Sequence, residues 1–247
     1  MEVHAHTHSQ RKNWTHYLWE FLMLFLAVFC GFLAEYKLEQ TIERHREKEY
    51  MISLIKDLQN DTTGINNAVK DELERIALAD SIMILFEKKD FKNNTGALYY
   101  IGGMLGFRVF FNPNDGTIQQ LKYAGGLRLI QKRNVVDSIQ KYSNLVRDLL
   151  RLQELEESHL VEYRSVMDKI FYASVFNTMF ASKNAINIKQ LDINPPLVSE
   201  DKKNINDLSM KIVIAKANRL SELEGLDVLQ SSAVSLIDLL KKEYHLN

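Results

Sequence analysis

Histidines at alternate positions near the N-terminus are the first residues whose types could do chemistry. His4, His6 and His8 fall on one side of an extended chain, and His16 follows them. Neutral imidazoles bind zinc, copper and nickel, so a metal-binding tail is one interpretation. A metal site needs ligands held in place, however, and a short polar tail does not preorganise them. We expect residues 1–16 to form a polar tail and assign no metal ligand there.

Glu156 and His159 form the one Glu-x-x-His pair in the sequence. Di-iron helical bundles use two such pairs and two further glutamates that face the bundle interior. Because a second pair is missing, we expect His159 to be a surface residue or a hydrogen-bonded core residue. The pair therefore predicts no metal centre.

Glycines at positions 102, 103 and 106 are the remaining candidates for a ligand site. A phosphate-binding loop would need a lysine and a hydroxyl residue at fixed spacing, and neither follows Gly102, Gly103 or Gly106. The dinucleotide fingerprint and the strained Gly-x-Ser-x-Gly turn of a serine hydrolase are missing as well. We predict no catalytic, cofactor-binding or metal-ligating residue and no cofactor.

The charge balance limits the class of partner. The 247 residues carry 31 basic and 32 acidic side chains, which gives a net charge of -1. A nucleic-acid groove needs a basic surplus, so we expect no nucleic-acid partner. Pro occurs three times and Gly ten times, a composition that favours long helices. The lone Cys30 excludes a disulfide within one chain.

An apolar segment over residues 17–36 predicts a transmembrane helix. Its uninterrupted apolar part, residues 21–34, is shorter than the roughly 20 residues that a spanning helix prefers. Aromatic residues at both ends, including Trp19 and Tyr36, are typical of the headgroup region. A buried core helix is the alternative. A cleaved signal peptide is disfavoured because Phe32 would stand at the −3 position, and a lipoprotein because Phe29 precedes Cys30.

Basic residues flank this segment on both sides, so they define its orientation only weakly. Arg11 and Lys12 favour a cytoplasmic N-terminus and a domain outside the cytoplasm. The opposite orientation is favoured by Lys37, Arg44, Arg46 and Lys48. We predict the first orientation, because a short tail before an apolar segment behaves as a signal-anchor. In bacteria this places the chain in the inner membrane as a single-pass protein with a periplasmic domain.

The rest of the chain shows helical periodicity, so we predict an all-α fold. A single N-terminal transmembrane helix continues into an antiparallel helical bundle. The predicted divisions are a His-containing tail (1–16), the transmembrane helix (17–36), a helical neck (37–60) and the bundle domain (61–247). The first helix is expected to end at Asn60-Asp61. The neck residues that could contact either the bundle or another subunit are Leu38, Ile42, Met51, Leu54 and Leu58.

Capping and breaking residues predict the other helix ends. Thr117 could cap a short helix closed by Gly125-Gly126, after a region that is either a helix and loop or a hairpin. Asn134 is expected to cap a long helix over residues 134–181, and residues 182–199 form a loop. A last helical region begins near Asn204, and Gly225 could bend it.

Two passages resemble an uncharacterised family of N-terminally membrane-anchored helical proteins from Bacteroidetes bacteria. The passages are HTHSQRKNWTHYLWEFLMLFLAVFCGFLAEYKLEQ, continued by HREKEYMISLIKDLQNDT, and GTIQQLKYAGGLRLIQKRNVVDSIQKY. They cover about a third of the chain. The resemblance implies a Gram-negative envelope, an uncleaved anchor and a helical domain. It implies no activity and no functional residues.

These observations predict a non-enzymatic envelope protein that serves as a protein-interaction or scaffold subunit. Its partners would be the lipid bilayer together with another protein or further copies of itself. The alternatives are an extracytoplasmic ligand sensor built on a helical bundle and a membrane-bound enzyme with an unrecognised site. A buried polar cluster would favour a sensor or an enzyme, and an exposed apolar strip would favour a scaffold.

Overall fold

The computed structural model describes residues 14–88, 91–180 and 188–246, and in these ranges the chain is helical with no strand. Predicting an all-α fold was therefore correct. Two 3-10 turns, Phe91–Asn94 and Gly126–Leu129, lie in the connections. The helices are α1 (Trp14–Glu87), α2 (Thr95–Leu105), α3 (Gly116–Tyr123), α4 (Arg133–Met167), α5 (Ala173–Met179) and α6 (Lys202–Tyr244).

The chain divides into two units after Glu49. The first unit contains the N-terminal part of α1, which is long and apolar enough to span a membrane. An 18-residue window there has a mean hydropathy of 2.0, and none of that window is buried. A core helix of a soluble protein would bury such a segment, so its exposure favours the transmembrane interpretation over the core-helix alternative. Leu38 and Ile42 are also exposed.

The expected helix end at Asn60-Asp61 is wrong, because α1 continues through both residues to Glu87. The polar side chains at this point do not cap a helix end. They form hydrogen bonds either to other parts of the bundle or to the backbone of α1 itself. Asp61 is buried and accepts hydrogen bonds from Asn114 and Tyr142, whereas Thr62 and Thr63 bond the carbonyl of Gln59 within the helix. A cluster of turn-forming residues therefore does not end a helix whose polar groups find partners.

The second unit is a bundle of three long helices, namely α1 from Tyr50 onward, α4 and α6. Its apolar residues form two cores. In the first core, residues 51–68 of α1 meet residues 135–149 of α4 and residues 226–240 of α6. In the second core, Ala79 and Ile82 of α1 meet Tyr163 and Val166 of α4 and residues 208–212 of α6. Hence α6 runs antiparallel to both α1 and α4.

Residues that could have faced another subunit belong to this bundle. Met51, Leu54 and Leu58 are fully buried in the first core of the same chain. Their helical spacing places them on one face of α1, toward α4 and α6. The stability of the single chain therefore depends on them.

Three predicted helix ends differ from the structure. The long helix α4 begins at Arg133 and ends at Met167, short of residue 181, and α5 follows after a turn. Neither Asn134 nor Thr117 caps a helix, since Lys132 and Asp115 stand at the two N-cap positions. By contrast, Asp201 caps α6 by accepting hydrogen bonds from two backbone amides.

Two glycine predictions have different outcomes. Gly125 has a φ of 71°, the left-handed conformation that glycine adopts without strain, just after α3 ends. Gly225 does not interrupt α6, which stays helical to Tyr244. A Cβ added at Gly225 would lie 3.3 Å from Leu149 Cδ1, so this glycine lets α6 pass close to α4.

Candidate functional site: a buried polar layer

Polar side chains interrupt the buried face of each long helix at the same level of the bundle, between the two apolar cores. On α1 the buried positions run Ile65, Ala68, Glu72, Arg75 and Ala79. Their spacing of three and four residues is that of a core-facing stripe, so Glu72 and Arg75 occupy core positions. The neighbouring apolar residue Leu73 lies off this face and is 52% exposed.

The other two long helices show the same interruption. Buried Gln153 and Glu156 separate Leu149 from Leu160 on α4. On α6 the buried residues Asn218, Arg219 and Glu222 separate Ala215 from Leu226. We call the set the polar layer, and its members are Glu72, Arg75, Gln153, Glu156, Asn218, Arg219 and Glu222.

Arg219 joins the three helices at the centre of the polar layer. Its Nη1 donates to Glu72 Oε2 at 3.0 Å, and its Nη2 lies 2.7 Å from Glu156 Oε1. Nη2 also donates to the carbonyl oxygen of Phe107 at 3.1 Å. All three charged side chains are at most 1% exposed. Each carboxylate is thus held in a dry interior by one shared guanidinium.

The third carboxylate of the layer, Glu222, is bound by an amide group. Glu222 Oε1 accepts a hydrogen bond of 2.7 Å from the amide of Asn218, which also donates to the carbonyl oxygen of Leu152 at 3.4 Å. One carboxylate oxygen from each of Glu72, Glu156 and Glu222 lies within 4.8 Å of the others. Three acidic groups therefore lie close together. Among the described residues, Arg219 forms ion pairs with two of them, and the neutral amide of Asn218 donates a hydrogen bond to the third.

Hydrogen bonding in the layer is incomplete within the described part of the chain. Glu72 Oε1 and both oxygens of Glu156 are buried without a hydrogen bond, since the contact to Arg219 Nη2 is close but poorly aligned. The Nε and Nη1 of Arg75 are in the same situation. Buried unsatisfied groups of this kind cost about 1–3 kcal/mol each, so the layer is a weak point of the fold.

Burial controls the protonation of the carboxyl groups. It raises the pKa of Glu156 to about 7, against the opposing effect of Arg219. Burial also raises the pKa of Glu222 to about 8, and the neighbouring carboxylates of Glu156 and Glu72 act in the same direction. The pKa of Glu72 is raised by burial too, although Arg219 opposes it. Desolvation disfavours the charged form of an acid, which explains all three directions.

A small cavity lies next to Arg219. Its volume is about 10 Å³, and its lining includes Leu105, Tyr163 and Ala215. A space of roughly 10–15 Å³ holds one water molecule. Three carboxylates at this spacing would suit a divalent cation, but here the guanidinium of Arg219 supplies the positive charge. The cavity, which could hold one water molecule, borders Arg219 and apolar residues of the second core and is not lined by the three carboxylates.

Glu156 and His159, the Glu-x-x-His pair of the sequence, lie in different surroundings. Glu156 lies in the polar layer, whereas His159 is half-buried, outside the carboxylate group, with a buried Nδ1 that makes no hydrogen bond among the described residues. His16 is exposed. The residues His4, His6 and His8 lie outside the described part of the chain.

The glycines that could have formed a phosphate loop are packing positions in α2. A Cβ added at Gly102 would lie 2.9 Å from Phe171 Cζ, and one at Gly103 would lie 2.8 Å from Ile188 Cδ1. Both glycines therefore allow α2 to approach the segments that follow α4. Tyr163 Oη also donates to the carbonyl of Gly102 at 2.8 Å.

Glu72, Arg75, Arg219 and Glu222 were missed by the sequence analysis. Each stands at a core position of its helix. The available signal was a polar residue that continues the three- and four-residue spacing of the buried apolar residues.

No family model matches the chain, and it matches no curated protein and no solved structure.

Proposed function

We propose that this chain is a membrane-anchored, non-enzymatic protein that acts by binding a helix of a partner protein. The observation that carries the proposal is an apolar strip on the side of α6 that faces away from both cores. We call this strip the association face, and its residues are Met210, Val213, Ile214, Ala217 and Leu220.

The exposure of these side chains is unusual for a solvated helix face. Met210 is 57% exposed and Leu220 is 49% exposed, although Leu208 and Ile212 on the opposite side are buried. The N-terminal half of α6 is therefore apolar on two sides. A helix that is hydrophobic on both sides is typical of one covered by a further element. Contiguous apolar surface of this kind marks interaction sites.

The spacing of the face indicates what would cover it. Met210, Val213, Ala217 and Leu220 are separated by three, four and three residues, which is the a/d repeat of a helix-helix interface. A matching apolar strip on an amphipathic helix would pack into these positions. The next position of the repeat is Glu224, so the contact covers about three helical turns.

We propose that the apolar part of α1 anchors the chain as a single-pass protein of the bacterial inner membrane, with the bundle in the periplasm. The apolar, exposed N-terminal part of α1 supports the anchor, and Arg11 and Lys12 before it support this orientation. A cysteine at exposed position 94, in an Asn94→Cys, Cys30→Ala variant, should react with an impermeant maleimide in intact spheroplasts. Labelling that requires lysis would place the bundle in the cytoplasm.

Site-specific cross-linking in membranes of the source cells tests the association face. A photo-crosslinking amino acid at position 213 should give a discrete adduct, and the same residue at exposed position 158 of α4 should not. Leu220→Glu should abolish the adduct. Leu155→Glu is the matched control, because Leu155 lies on α4 and is 48% exposed. An adduct that survives Leu220→Glu would contradict the proposal, and an adduct of twice the chain mass would identify a second copy as the partner.

The ligand-sensor alternative rests on the grooves of the bundle. The cavity beside Arg219 has space for about one water molecule, so a larger ligand would need another site. A groove of about 440 Å³ between α4 and α6 is lined by Ser138, Lys141, Asp227, Ser231 and other residues. Its hydroxyl and charged groups could hold a small polar ligand. Thermal stabilisation by small polar solutes, lost on replacing Lys141 and Asp227, would favour the sensor.

A further inference from the structure

The polar layer gathers more acid than its direct contacts neutralise. Glu72, Glu156 and Glu222 come from three different helices, and their oxygens lie within 4.8 Å of one another. Arg219 makes the ion pairs to Glu72 and Glu156. Like charges at this distance in a medium of low dielectric constant repel strongly, so full ionisation of all three groups is unfavourable.

Other charged groups act on the layer from each surrounding element. Arg75 on α1 lies near Glu72, and Arg108 on the connection before α3 acts on Glu156 and Glu222. Asp71 and Glu157 add negative charge near Glu72 and Glu156.

Among the described residues, neither Arg108 nor Arg75 forms an ion pair with a carboxylate of the polar layer. Arg108 Nη2 donates to Gln153 Oε1 at 3.4 Å, and Arg75 Nη1 lies 3.8 Å from Glu74, which points away from the layer. Burial lowers the pKa of Arg75, because desolvation disfavours the charged form, but the guanidinium remains protonated.

We propose that the polar layer is a proton-binding site in which Glu156 and Glu222 hold a proton between the cores, and that its release in alkaline solution loosens the bundle at this level. The geometry favours a proton over other ligands, because three buried carboxylates lie together and Arg219 is ion-paired with two of them. Both carboxylate oxygens of Glu156 are also buried without a hydrogen bond among the described residues.

Protonation linkage gives the direction of the effect. The folded chain holds Glu156 and Glu222 at pKa values of about 7 and about 8, above their ordinary 4.5. Between these limits the folded state binds more protons than the unfolded state, so stability falls as pH rises. This contribution is complete below pH 4.5 and is lost as pH rises through about 7 and about 8.

Thermal unfolding of the full chain in detergent micelles tests the site. The wild-type Tm should fall by roughly 5 °C or more between about pH 5 and about pH 9. Glu222→Gln carries a neutral amide in place of the protonated acid, so its Tm should change much less with pH. Glu156→Gln should show an intermediate response. Glu224→Gln is the matched control on the exposed side of α6 and should follow the wild type.

Infrared spectroscopy of the wild type tests the site without depending on whether a variant folds. The wild type should show a protonated-carboxyl band at neutral pH that disappears in alkaline solution, and this band should be weaker in Glu222→Gln, where Glu156 still titrates. Parallel loss of Tm in wild type and Glu222→Gln, or no titrating band at neutral pH, would overturn the proposal. A Tm raised by Mg²⁺, Ca²⁺ or Zn²⁺ in the wild type but not in Glu222→Gln would also overturn it and identify a cation site.

Discussion

Two buried polar clusters in the same bundle solve the problem of an interior carboxylate differently. In the first core, Asp61 uses both oxygens: Oδ1 accepts from the backbone amide and side-chain amide of Asn114 at 2.7 and 2.9 Å, and Oδ2 accepts from Tyr142 Oη at 2.6 Å. In the polar layer, Glu156 lies beside Arg219 but makes no well-aligned hydrogen bond.

The difference shows that a counter-ion and a set of donors are not equivalent. Asp61, at 1% exposed, is satisfied by neutral groups that also fix the loop before α3 against α1 and α4. Glu156 is equally buried and has a cation beside it, yet both of its carboxylate oxygens lack an aligned hydrogen-bond donor. Neutral donors in fixed positions make the Asp61 cluster structural. Incomplete donors make the polar layer sensitive to protons.

Removing the shared cation should have the largest effect. Arg219→Met leaves Glu72 and Glu156 without their ion-pair partner, and we expect a loss of about 3–5 kcal/mol in the free energy of unfolding. Chemical denaturation of the full chain in detergent, followed by circular dichroism, measures this loss. The cost should shrink in acid, because protonated carboxyl groups need no counter-ion.

Arg151→Met is the control for that experiment, since the side chain of Arg151 is 70% exposed on α4. Its effect should stay below about 0.5 kcal/mol. A loss from Arg219→Met that is equally small would mean that the layer tolerates its acids without Arg219, and the contrast with Asp61 would disappear.

Removing one neutral donor from the Asp61 cluster should have a smaller effect. Tyr142→Phe deletes the hydroxyl that donates to Asp61 Oδ2 and leaves that oxygen buried without its donor. We expect a loss of about 1–3 kcal/mol by the same denaturation measurement. Tyr123→Phe, at a side chain that is 83% exposed, should change nothing measurable. Equal losses in the two variants would show that the hydroxyl of Tyr142 contributes nothing specific.

The smallest effect is expected at the neutral donor of the polar layer. Asn218→Ala removes the amide that donates to Glu222, and the loss should be about 1 kcal/mol if Glu222 is protonated and neutral. Asn206→Ala, at an exposed position of α6, is the control. A loss above about 2 kcal/mol at neutral pH would indicate a charged acceptor and would argue against a proton on Glu222.

Apolar periodicity was enough to predict the helical fold and the apolar segment of α1, but it misplaced the faces at the polar layer. Leu73 and Leu220 are exposed although they are apolar, and the buried stripe passes through their polar neighbours Glu72 and Arg219. A stripe traced by apolar residues shifts by one position wherever the core itself is polar. The partners of such residues lie far along the chain, as with Glu72 and Arg219, and no local pattern shows them.

The continuity of α6 has a consequence for the order of folding. This helix completes both cores and follows every other described element along the chain. Arg219 is separated from Glu72 by 147 positions, so the central ion pair closes a long loop of chain. During synthesis, the parts of α1 and α4 that α6 covers stay exposed until α6 has been made. Exposed apolar surface of this kind favours aggregation, and long loop closures slow folding.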